Sequence, residues 1–270
     1  MKRNKKIAIV AIIIIIAAAF LVVTTSSAQK VDVVGSTSVQ PVAEQLAAKY
    51  NQTHPGVEIN VQGGGSSVGI KSAQDGTADI GTSSKEVKGN DSTGLKQYNL
   101  GKDGIVIAVN NKNGVSDLTT DQLKDIYSGK ITNWNQVGGS SGKIDLITRE
   151  EGSGTLDAFQ KLVLGNSSMK KDAVVQSSTE AVKQSVAQDP NAIGFISYAH
   201  MSSDVKAINV NGVAPSDSSI ADGSYKLQRP FLFLTKGEPT GETKKFIDWV
   251  MSDEGKKVLE QQKIVQANAK

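Results

Sequence analysis

Short apolar runs and amphipathic stretches alternate along most of this chain. Residues 31–34 form a β-prone run, and the apolar positions from Val39 to Tyr50 that follow it recur at helical spacing. Residues 57–62 alternate between apolar and polar as a half-buried strand does, and they lead into a second helical pattern near residue 65. Strands that alternate with helices predict an α/β fold whose strands run mainly in parallel.

Two strongly apolar runs divide the chain into lobes. Residues 104–110 and 191–198 are suited to buried strands, at which the chain crosses from one lobe to the other. We therefore expect two α/β lobes, each a mainly parallel sheet flanked by helices, with a ligand cleft between them. The first lobe is predicted to comprise residues 30–109 and 200–270, and the second lobe residues 110–199.

The first 28 residues are typical of an export leader. A basic tip at residues 1–6 precedes an unbroken apolar run at residues 7–23, and small polar residues lead to Ala28. Cleavage after Ala28 would release a signal peptide, whereas the apolar run is also long enough to stay as a single N-terminal membrane anchor. Either outcome places the rest of the chain outside the cytoplasm, at the cell surface.

Charge and cysteine content exclude several classes of protein. The chain has 30 basic and 27 acidic side chains, and four of the basic ones lie in the leader, which leaves 26 against 27. This balance gives no support for a nucleic-acid partner. Cysteine is absent, which excludes disulfides, a thiolate metal site and lipid attachment through cysteine. Histidines and carboxylates do not stand at metal-ligand spacing, and we expect neither a metal nor a cofactor.

Four clusters of glycine and hydroxyl residues follow apolar runs. They are Gly35-Ser36-Thr37-Ser38, Gly63-Gly64-Gly65-Ser66-Ser67, Gly81-Thr82-Ser83-Ser84 and Gly152-Ser153-Gly154-Thr155. One such cluster is an ordinary turn with a helix cap, but in a parallel sheet all four fall at strand ends, where α/β proteins bind ligands. Glycine leaves backbone N–H groups accessible, and a helix start adds further donors and a positive dipole. The set predicts a site for a small anion.

Arg149 stands shortly before the fourth cluster. Beyond the leader the chain contains only two arginines, Arg149 and Arg229, and otherwise uses lysine. The planar fork of arginine binds oxyanions in a bidentate manner, whereas lysine is a hydrated point charge. The run from Ile147 to Phe159 is typical of a strand, a glycine turn and a helix start. We expect this strand–turn–helix segment to bind a tetrahedral oxyanion.

Two other classes of protein fit parts of the sequence. Gly65-Ser66-Ser67-Val68-Gly69 matches the nucleophile elbow of serine hydrolases, with Ser67 as nucleophile and His200 following in hydrolase order. A non-transport surface protein would fit an N-terminal anchor and the many Ser, Asn and Gly residues. The glycine run is not an ATP-binding loop, because Ile70 occupies the position that requires lysine.

The ordered motifs of the chain resemble those of the phosphate-binding proteins of phosphate-specific ABC transporters. These motifs lie at residues 35–41, 64–69, 79–84, 131–134, 148–155 and 194–198, and they span nearly all of the exported part. The resemblance implies a type II periplasmic-binding-protein fold that closes on one phosphate ion and delivers it to an ABC permease. We expect a monomeric binding protein rather than an enzyme.

The resemblance also implies which residues contact phosphate. They are Thr37, Ser38, Ser66 and Ser84 on one lobe, and Arg149, Ser153, Gly154 and Thr155 on the other. Some members of the family have an aspartate at the position of Ser84. A carboxylate accepts the proton of hydrogen phosphate, whereas serine also donates, so serine weakens discrimination against sulfate unless another carboxylate compensates. Glu151 is the candidate for that carboxylate, and sulfate and molybdate stay open as ligands.

Overall fold

The computed structural model of the protein describes residues 29–266. The predicted leader, with its alternatives of a signal peptide and a membrane anchor, lies outside these residues. Within residues 29–266, no helix combines the length and the apolar character needed to cross a membrane. The described strands form one connected sheet of nine strands and a separate pair.

The first half of the large sheet is built from parallel β-α-β units. Its elements are β1 (Gln29–Gly35), α1 (Gln40–Thr53), β2 (Val57–Gly63), α2 (Ser66–Asp75) and β3 (Ile80–Ser83). β1 lies in the middle and pairs in parallel with β2 and with β3. Val31 and Val33 on one face of β1 pack in the same core as Val42 and Leu46 of α1. The two-residue period of the strand and the helical period of α1 therefore meet in one apolar layer.

Two long antiparallel strands connect the halves of the sheet. β4 (Leu95–Asn110) pairs with β11 (Gln228–Lys236) along its first ten residues and with the second half of the sheet along its last residues. The sequence pattern predicts a strand only at residues 104–110. The additional residues are mostly polar, and the hydrogen-bond ladder to β11 holds them in the sheet, so a distant partner decides their conformation.

The second half of the sheet combines parallel and antiparallel pairs. It contains β6 (Asp145–Arg149), β7 (Val174–Gln176), β8 (Ala192–Ser197) and β9 (Val205–Ala207). β6 pairs in parallel with β7 and β8, whereas β4 pairs antiparallel with β8 and β9. The strands β5 (Asp117–Leu118) and β10 (Asn209–Val210) form the separate parallel pair. The large sheet is therefore mixed, with parallel strands on either side of the antiparallel connection.

Helices flank both halves of the sheet. Besides α1 and α2 they are α3 (Thr120–Tyr127), α4 (Gly154–Phe159), α5 (Thr179–Gln188), α6 (Asp217–Ala221), α7 (Gly241–Val250) and α8 (Asp253–Gln261). α4 and α5 begin at serine N-caps, Ser153 and Ser178, whose side chains accept backbone N–H groups of the first turn. α4 continues into one π-helical turn at Gln160–Leu164.

The two largest hydrophobic clusters of the described residues lie one in each half of the sheet. The first core packs β1, β3 and β11 against α1, α7 and α8, with Phe231 and Phe246 among its fully buried side chains. The second core includes Phe159 and Phe195, whose rings stack with centroids 4.1 Å apart. Apolar side chains from residues 208–227 also pack in the second core. The predicted lobe limits stay a prediction, and this packing favours a return to the first lobe within β11.

Candidate functional site

Three of the glycine and hydroxyl clusters meet at one point in the first half of the sheet. β1, β2 and β3 run in parallel and each leads into one cluster. Ser36 Oγ donates to Ser84 Oγ at 2.8 Å, and the backbone N–H of Ser84 donates to Ser66 Oγ at 3.0 Å. All three serines are at most 2% exposed. The strand ends thus create a buried group of hydroxyls, as the clusters predict.

Ser38 joins this group to the second half of the molecule. Its Oγ lies 2.9 Å from Thr155 Oγ1 and 2.8 Å from Thr179 Oγ1. Thr155 belongs to the first turn of α4, and Thr179 opens α5. The N-terminal ends of two helices from one lobe therefore face the start of α1 in the other lobe, with hydroxyls from both sides in contact.

Arg149 lies at the end of β6 and is 3% exposed. Its Nη1 donates to Thr179 Oγ1 at 3.0 Å, and its Nη2 donates to Thr37 Oγ1 at 3.1 Å. The carboxylate of Glu150 accepts from Nε at 2.9 Å and from Nη2 at 2.7 Å. Glu150 therefore fixes one edge of the guanidinium group, and the remaining donors are directed at hydroxyls of the cleft.

The fourth cluster lies against the serines of the first lobe. A Cβ added to Gly154 would lie 2.6 Å from Ser84 Oγ and would also overlap Ser66 Oγ. The backbone N–H of Ser67 donates to the carbonyl of Gly152 at 3.0 Å across the same gap. Glycine at position 154 is therefore required by this close approach of the two lobes.

The structure places all eight residues predicted to contact the ligand in this one region. Seven of them, including Thr37 and Gly154, touch or closely approach another member of the set. Ser153 is also buried, but its Oγ accepts the backbone N–H of Leu156 at 3.3 Å as the N-cap of α4. Their contacts with a ligand stay predictions.

A second buried arginine, which sequence analysis leaves out of the site, lies at the floor of the cleft. Arg229 on β11 is 4% exposed, and Asp103, directly opposite on β4, is fully buried. Arg229 Nε donates to Asp103 Oδ2 at 3.0 Å. Its Nη2 donates to Ser38 Oγ at 3.1 Å, and its Nη1 to Ser84 Oγ at 3.4 Å. Arg229 therefore places a second guanidinium group beside two of the predicted site residues.

Two hydroxyl residues also join the site without having been predicted. Ser36 donates to Ser84, and Thr179 is fully buried between Ser38 and Arg149. Ser36 lies within the first cluster, and no feature of the sequence distinguishes it from the neighbouring hydroxyl residues. The signal for Thr179 is the hydroxyl run at residues 177–179, which is also an ordinary helix start.

Burial perturbs both members of the Asp103–Arg229 pair. Removal from water raises the pKa of Asp103, while Arg229 and the hydrogen bond from Ser197 oppose that rise. Burial likewise lowers the pKa of Arg229, Asp103 opposes the lowering, and the positive charge of Arg149 adds to it. The two guanidinium groups are thus close enough to repel each other, and an anion between them would relieve the repulsion.

The carboxylates near the site differ from the expectation for Glu151. Glu151 is exposed, and Glu150 is the residue that pairs with Arg149. Asp103 is the carboxylate within the buried network, joined to the serines through Arg229. Within residues 29–266, no group of three or more acidic or histidine side chains is placed to hold a metal ion.

The residues of the hydrolase alternative have other partners. His200 Nε2 lies 3.3 Å from the carbonyl oxygen of Ser38, and its Nδ1 lies 3.7 Å from a carboxylate oxygen of Glu180. Ser67 uses its backbone N–H to contact Gly152 in the other lobe. These contacts assign His200 and Ser67 to the packing between the lobes.

Comparison with known proteins by sequence matches most of the chain. The family described as PBP superfamily domain matches residues 22–254. The phosphate-binding protein PstS of Bacillus subtilis (strain 168) is 34% identical over 231 residues, which cover 84% of this chain and 77% of that protein. The protein of the same name from Staphylococcus epidermidis (strain ATCC 12228 / FDA PCI 1200) is 30% identical over 243 residues, covering 82% and 74%.

Solved structures give the same relationship. A putative phosphate ABC transporter substrate-binding protein from Clostridium perfringens, solved with bound phosphate, has a TM-score of 0.85 and 38% identity, covering 89% of this chain and 100% of that one. An ABC-type phosphate transport receptor from Vibrio cholerae has a TM-score of 0.73 and 38% identity, covering 87% and 99%. These similarities confirm the predicted two-lobe α/β fold. The chain therefore belongs to the PBP superfamily and, within it, to the family of phosphate-binding proteins named PstS.

Proposed function

We propose that this protein is the phosphate-binding component of an ABC importer, which captures inorganic phosphate in the cleft between its lobes and delivers it to the membrane permease. The PstS relatives and the phosphate-bound structure of the Clostridium perfringens relative support this function. The same relatives are named as binding proteins and transport receptors, which supports a role without catalysis and disfavours a hydrolase or a surface scaffold.

The observation that carries the proposal is the convergence of buried donors from both lobes. Arg149 and Thr155 approach from one lobe, Ser38 and Ser84 from the other, and Arg229 reaches both serines from the floor. A tetrahedral oxyanion accepts hydrogen bonds from many directions and satisfies such a set. An apolar ligand between these groups would separate them from one another and would offer them no hydrogen bond in return, at a large cost in free energy.

The proposed phosphate contacts are the eight predicted residues. Arg149 contributes a charged fork that Glu150 orients, and Thr37, Ser38, Ser66, Ser84 and Thr155 contribute hydroxyl donors. Ser153 and Gly154 contribute the start of α4, where backbone N–H groups and the helix dipole favour an anion.

Closure of the two lobes is the proposed mechanism of capture. Donors from both lobes reach one ion only when the cleft is closed, so phosphate stabilises the closed form relative to the open one. The contacts of Ser38 with Thr155 and of Ser67 with Gly152 mark where the lobes meet. The permease would recognise the closed form and release the ion by separating these contacts.

The transport role sets the location and the partners of the protein. The leader predicted at residues 1–28 supports export, and both of its alternatives keep the lobes outside the cytoplasm. The relatives from Clostridium perfringens and Vibrio cholerae, which are named as parts of ABC transporters, support an ABC permease as the partner. We propose a monomer, because the two lobes of one chain bring together all eight predicted contact residues.

Sulfate and molybdate are the alternatives that the site itself raises. The resemblance implies an aspartate at the position of Ser84 in some members of the family, which would accept the proton of hydrogen phosphate, and Glu151 is exposed. Fully ionised sulfate needs only donors, which this cleft supplies. Discrimination by Glu151 therefore has little structural support, and preference for phosphate is a property to measure.

Calorimetric titration tests the proposed function. The purified protein, freed of bound anion by partial unfolding and refolding, is titrated with phosphate, sulfate and molybdate separately. Tight one-to-one binding of phosphate, with weaker binding of the other two, is the expected result. Tighter binding of sulfate or molybdate would assign a different oxyanion, and no binding of any would contradict an anion site.

A further inference from the structure

Arg229 and Asp103 form a buried ion pair between the two strands that connect the lobes. The register of β4 and β11 sets them directly opposite each other, and they are 4% and 0% exposed. Arg229 Nε and Nη2 each lie 3.0 Å from Asp103 Oδ2. The free energy lost when two charges are removed from water exceeds the free energy of their attraction, unless further hydrogen bonds stabilise the pair. Stability alone is therefore a weak reason for this pair.

The oxygens of Asp103 are engaged by groups of the protein. Oδ2 accepts from Arg229, and Oδ1 accepts from Ser197 Oγ at 2.7 Å and from the backbone N–H of Ala199 at 3.3 Å. Ser197 is the last residue of β8 and Ala199 lies in the short 3-10 helix Tyr198–His200 that follows it, so the second half of the sheet orients the carboxylate. Asp103 in turn fixes the direction of the arginine side chain.

The outer nitrogens of Arg229 point at residues predicted to bind the ligand. Nη2 donates to Ser38 Oγ and Nη1 to Ser84 Oγ. Because a guanidinium group only donates, both hydroxyl oxygens accept, and their own hydrogens point away from Arg229. Ser84 accepts a second hydrogen bond from Ser36. Arg229 therefore turns two hydroxyls of the cleft into donors for another group.

A short hydroxyl bridge separates the two arginines of the cleft. Arg229 donates to Ser38, Ser38 contacts Thr179, and Thr179 accepts from Arg149. Each arginine also has its own carboxylate, Asp103 or Glu150. The two arginines thus place guanidinium donors at both ends of the hydroxyl bridge, and an oxyanion bound there would accept from both of them.

We propose that Arg229 is a second anion-binding arginine of this cleft and that Asp103 is the positioning residue that holds its guanidinium group toward the ligand. The inference rests on the proposed function, because it takes phosphate as the ligand. Since both oxygens of Asp103 are engaged, the pair strengthens binding of phosphate and sulfate alike and does not discriminate between them.

The test compares variants that keep the buried charges balanced. Arg229→Gln alone would leave Asp103 buried without a partner, so the change is combined with Asp103→Asn. The double variant is expected to bind phosphate and sulfate each about 100-fold more weakly than the wild type, as measured by calorimetry. Arg229→Lys, which keeps a cation beside Asp103, is expected to lose about tenfold, because the fork is lost.

Three controls separate a role in binding from a role in folding. Thermal unfolding without anion shows whether each variant is folded, and Arg229→Lys provides the comparison if the double variant is not. Lys102→Gln removes a positive charge from the neighbouring residue of β4, whose side chain points to the opposite face of the strand. This variant is expected to bind phosphate as the wild type does. Asp103→Asn alone keeps Arg229 and is expected to leave the ratio of phosphate to sulfate affinity unchanged.

Each outcome bears on one proposal. Wild-type affinity in a folded double variant, or in Arg229→Lys if the double variant is unfolded, would overturn the role of Arg229. A selective loss of phosphate binding in Asp103→Asn would show that Asp103 contacts the ligand and would overturn its positioning role. Failure of the wild type itself to bind phosphate would instead contradict the proposed function.

Discussion

Arg149 is oriented by its neighbour in sequence, Glu150, and contacts hydroxyl groups of residues that lie far from it along the chain. Glu150 holds Nε and Nη2, while Thr37 and Thr179 accept from the outer nitrogens. Arg149 is 3% exposed, so little water screens its charge, and its attraction for an anion in the cleft is strong. A lysine would keep the charge but would lose the planar fork.

Replacement of Arg149 by alanine should therefore weaken phosphate binding severely. Loss of a desolvated charge that pairs with the anion costs on the order of 2 to 5 kcal/mol of binding free energy. Calorimetry on Arg149→Ala checks this, with Lys161→Ala as the control, because Lys161 is an exposed cation of the same lobe. An affinity close to that of the wild type in Arg149→Ala would remove Arg149 from the site.

The two arginines also show what a sequence reveals about a site. Arg149 can be predicted as a site residue because the signal is local, with a strand, a glycine turn and a helix start within about a dozen residues. Arg229 is followed by an ordinary strand and has no glycine cluster beside it. Its place depends on the register of β4 and β11, a pairing between residues more than a hundred positions apart.

At the scale of an element, the start of α4 decides how closely the lobes approach. Gly154 is the first residue of that helix, and its missing side chain leaves room for Ser66 and Ser84. Its backbone lies in an ordinary helical conformation, so alanine would be tolerated by the helix itself. The effect of a larger residue would appear only where the lobes meet.

Gly154→Ala should consequently impair closure more than folding. The added methyl group would lie 2.6 Å from Ser84 Oγ, and phosphate affinity is expected to fall by on the order of 100-fold while thermal stability without anion changes little. Gly114→Ala is the matched control, because an added Cβ there meets nothing within 4 Å. Equal phosphate affinities of the two variants and the wild type would show that, in the phosphate-bound form, the lobes leave room for a methyl group between residue 154 and Ser84.

The sequence indicates an element best where a periodic apolar pattern is bounded by turn residues. The alternating run at residues 57–62 and the helical spacing after Val39 match β2 and α1. The sequence pattern does not indicate the first part of β4, because its polar residues do not alternate with apolar ones and β11 supplies the pairing. The four hydroxyl clusters were predicted to meet because parallel strands place their carboxyl ends along one edge.

At the scale of the whole molecule, His200 links the stability of the closed fold to pH. Burial lowers its pKa from 6.5 to about 4, Lys183 adds to the lowering, and the Ser38 carbonyl and Glu180 oppose it. In the unfolded chain the histidine has its ordinary pKa, so between these two values unfolding takes up a proton. The free energy of unfolding is therefore retained above pH 6.5 and falls as the pH decreases toward about 4.

Denaturant unfolding of the wild type and of His200→Gln near pH 7 and near pH 5 checks this linkage. The wild type is expected to lose on the order of 2 kcal/mol more stability than the variant between the two conditions. Other buried or paired acids contribute to the pH dependence of both proteins, and the difference between them isolates His200. Identical pH dependence in the two proteins would place His200 in contact with water.

The two lobes share their central strands, and this limits how such a protein can be divided. β4 extends from the ladder with β11 in one half of the sheet to the ladder with β8 in the other. A hybrid that took one lobe from a relative would need a crossover point within β4 and another within β11, at residues that pair with each other. Asp103 and Arg229 lie close to these points. The lobes are therefore poorly suited to exchange by recombination, and Asp103 and Arg229 would have to come from the same parent protein.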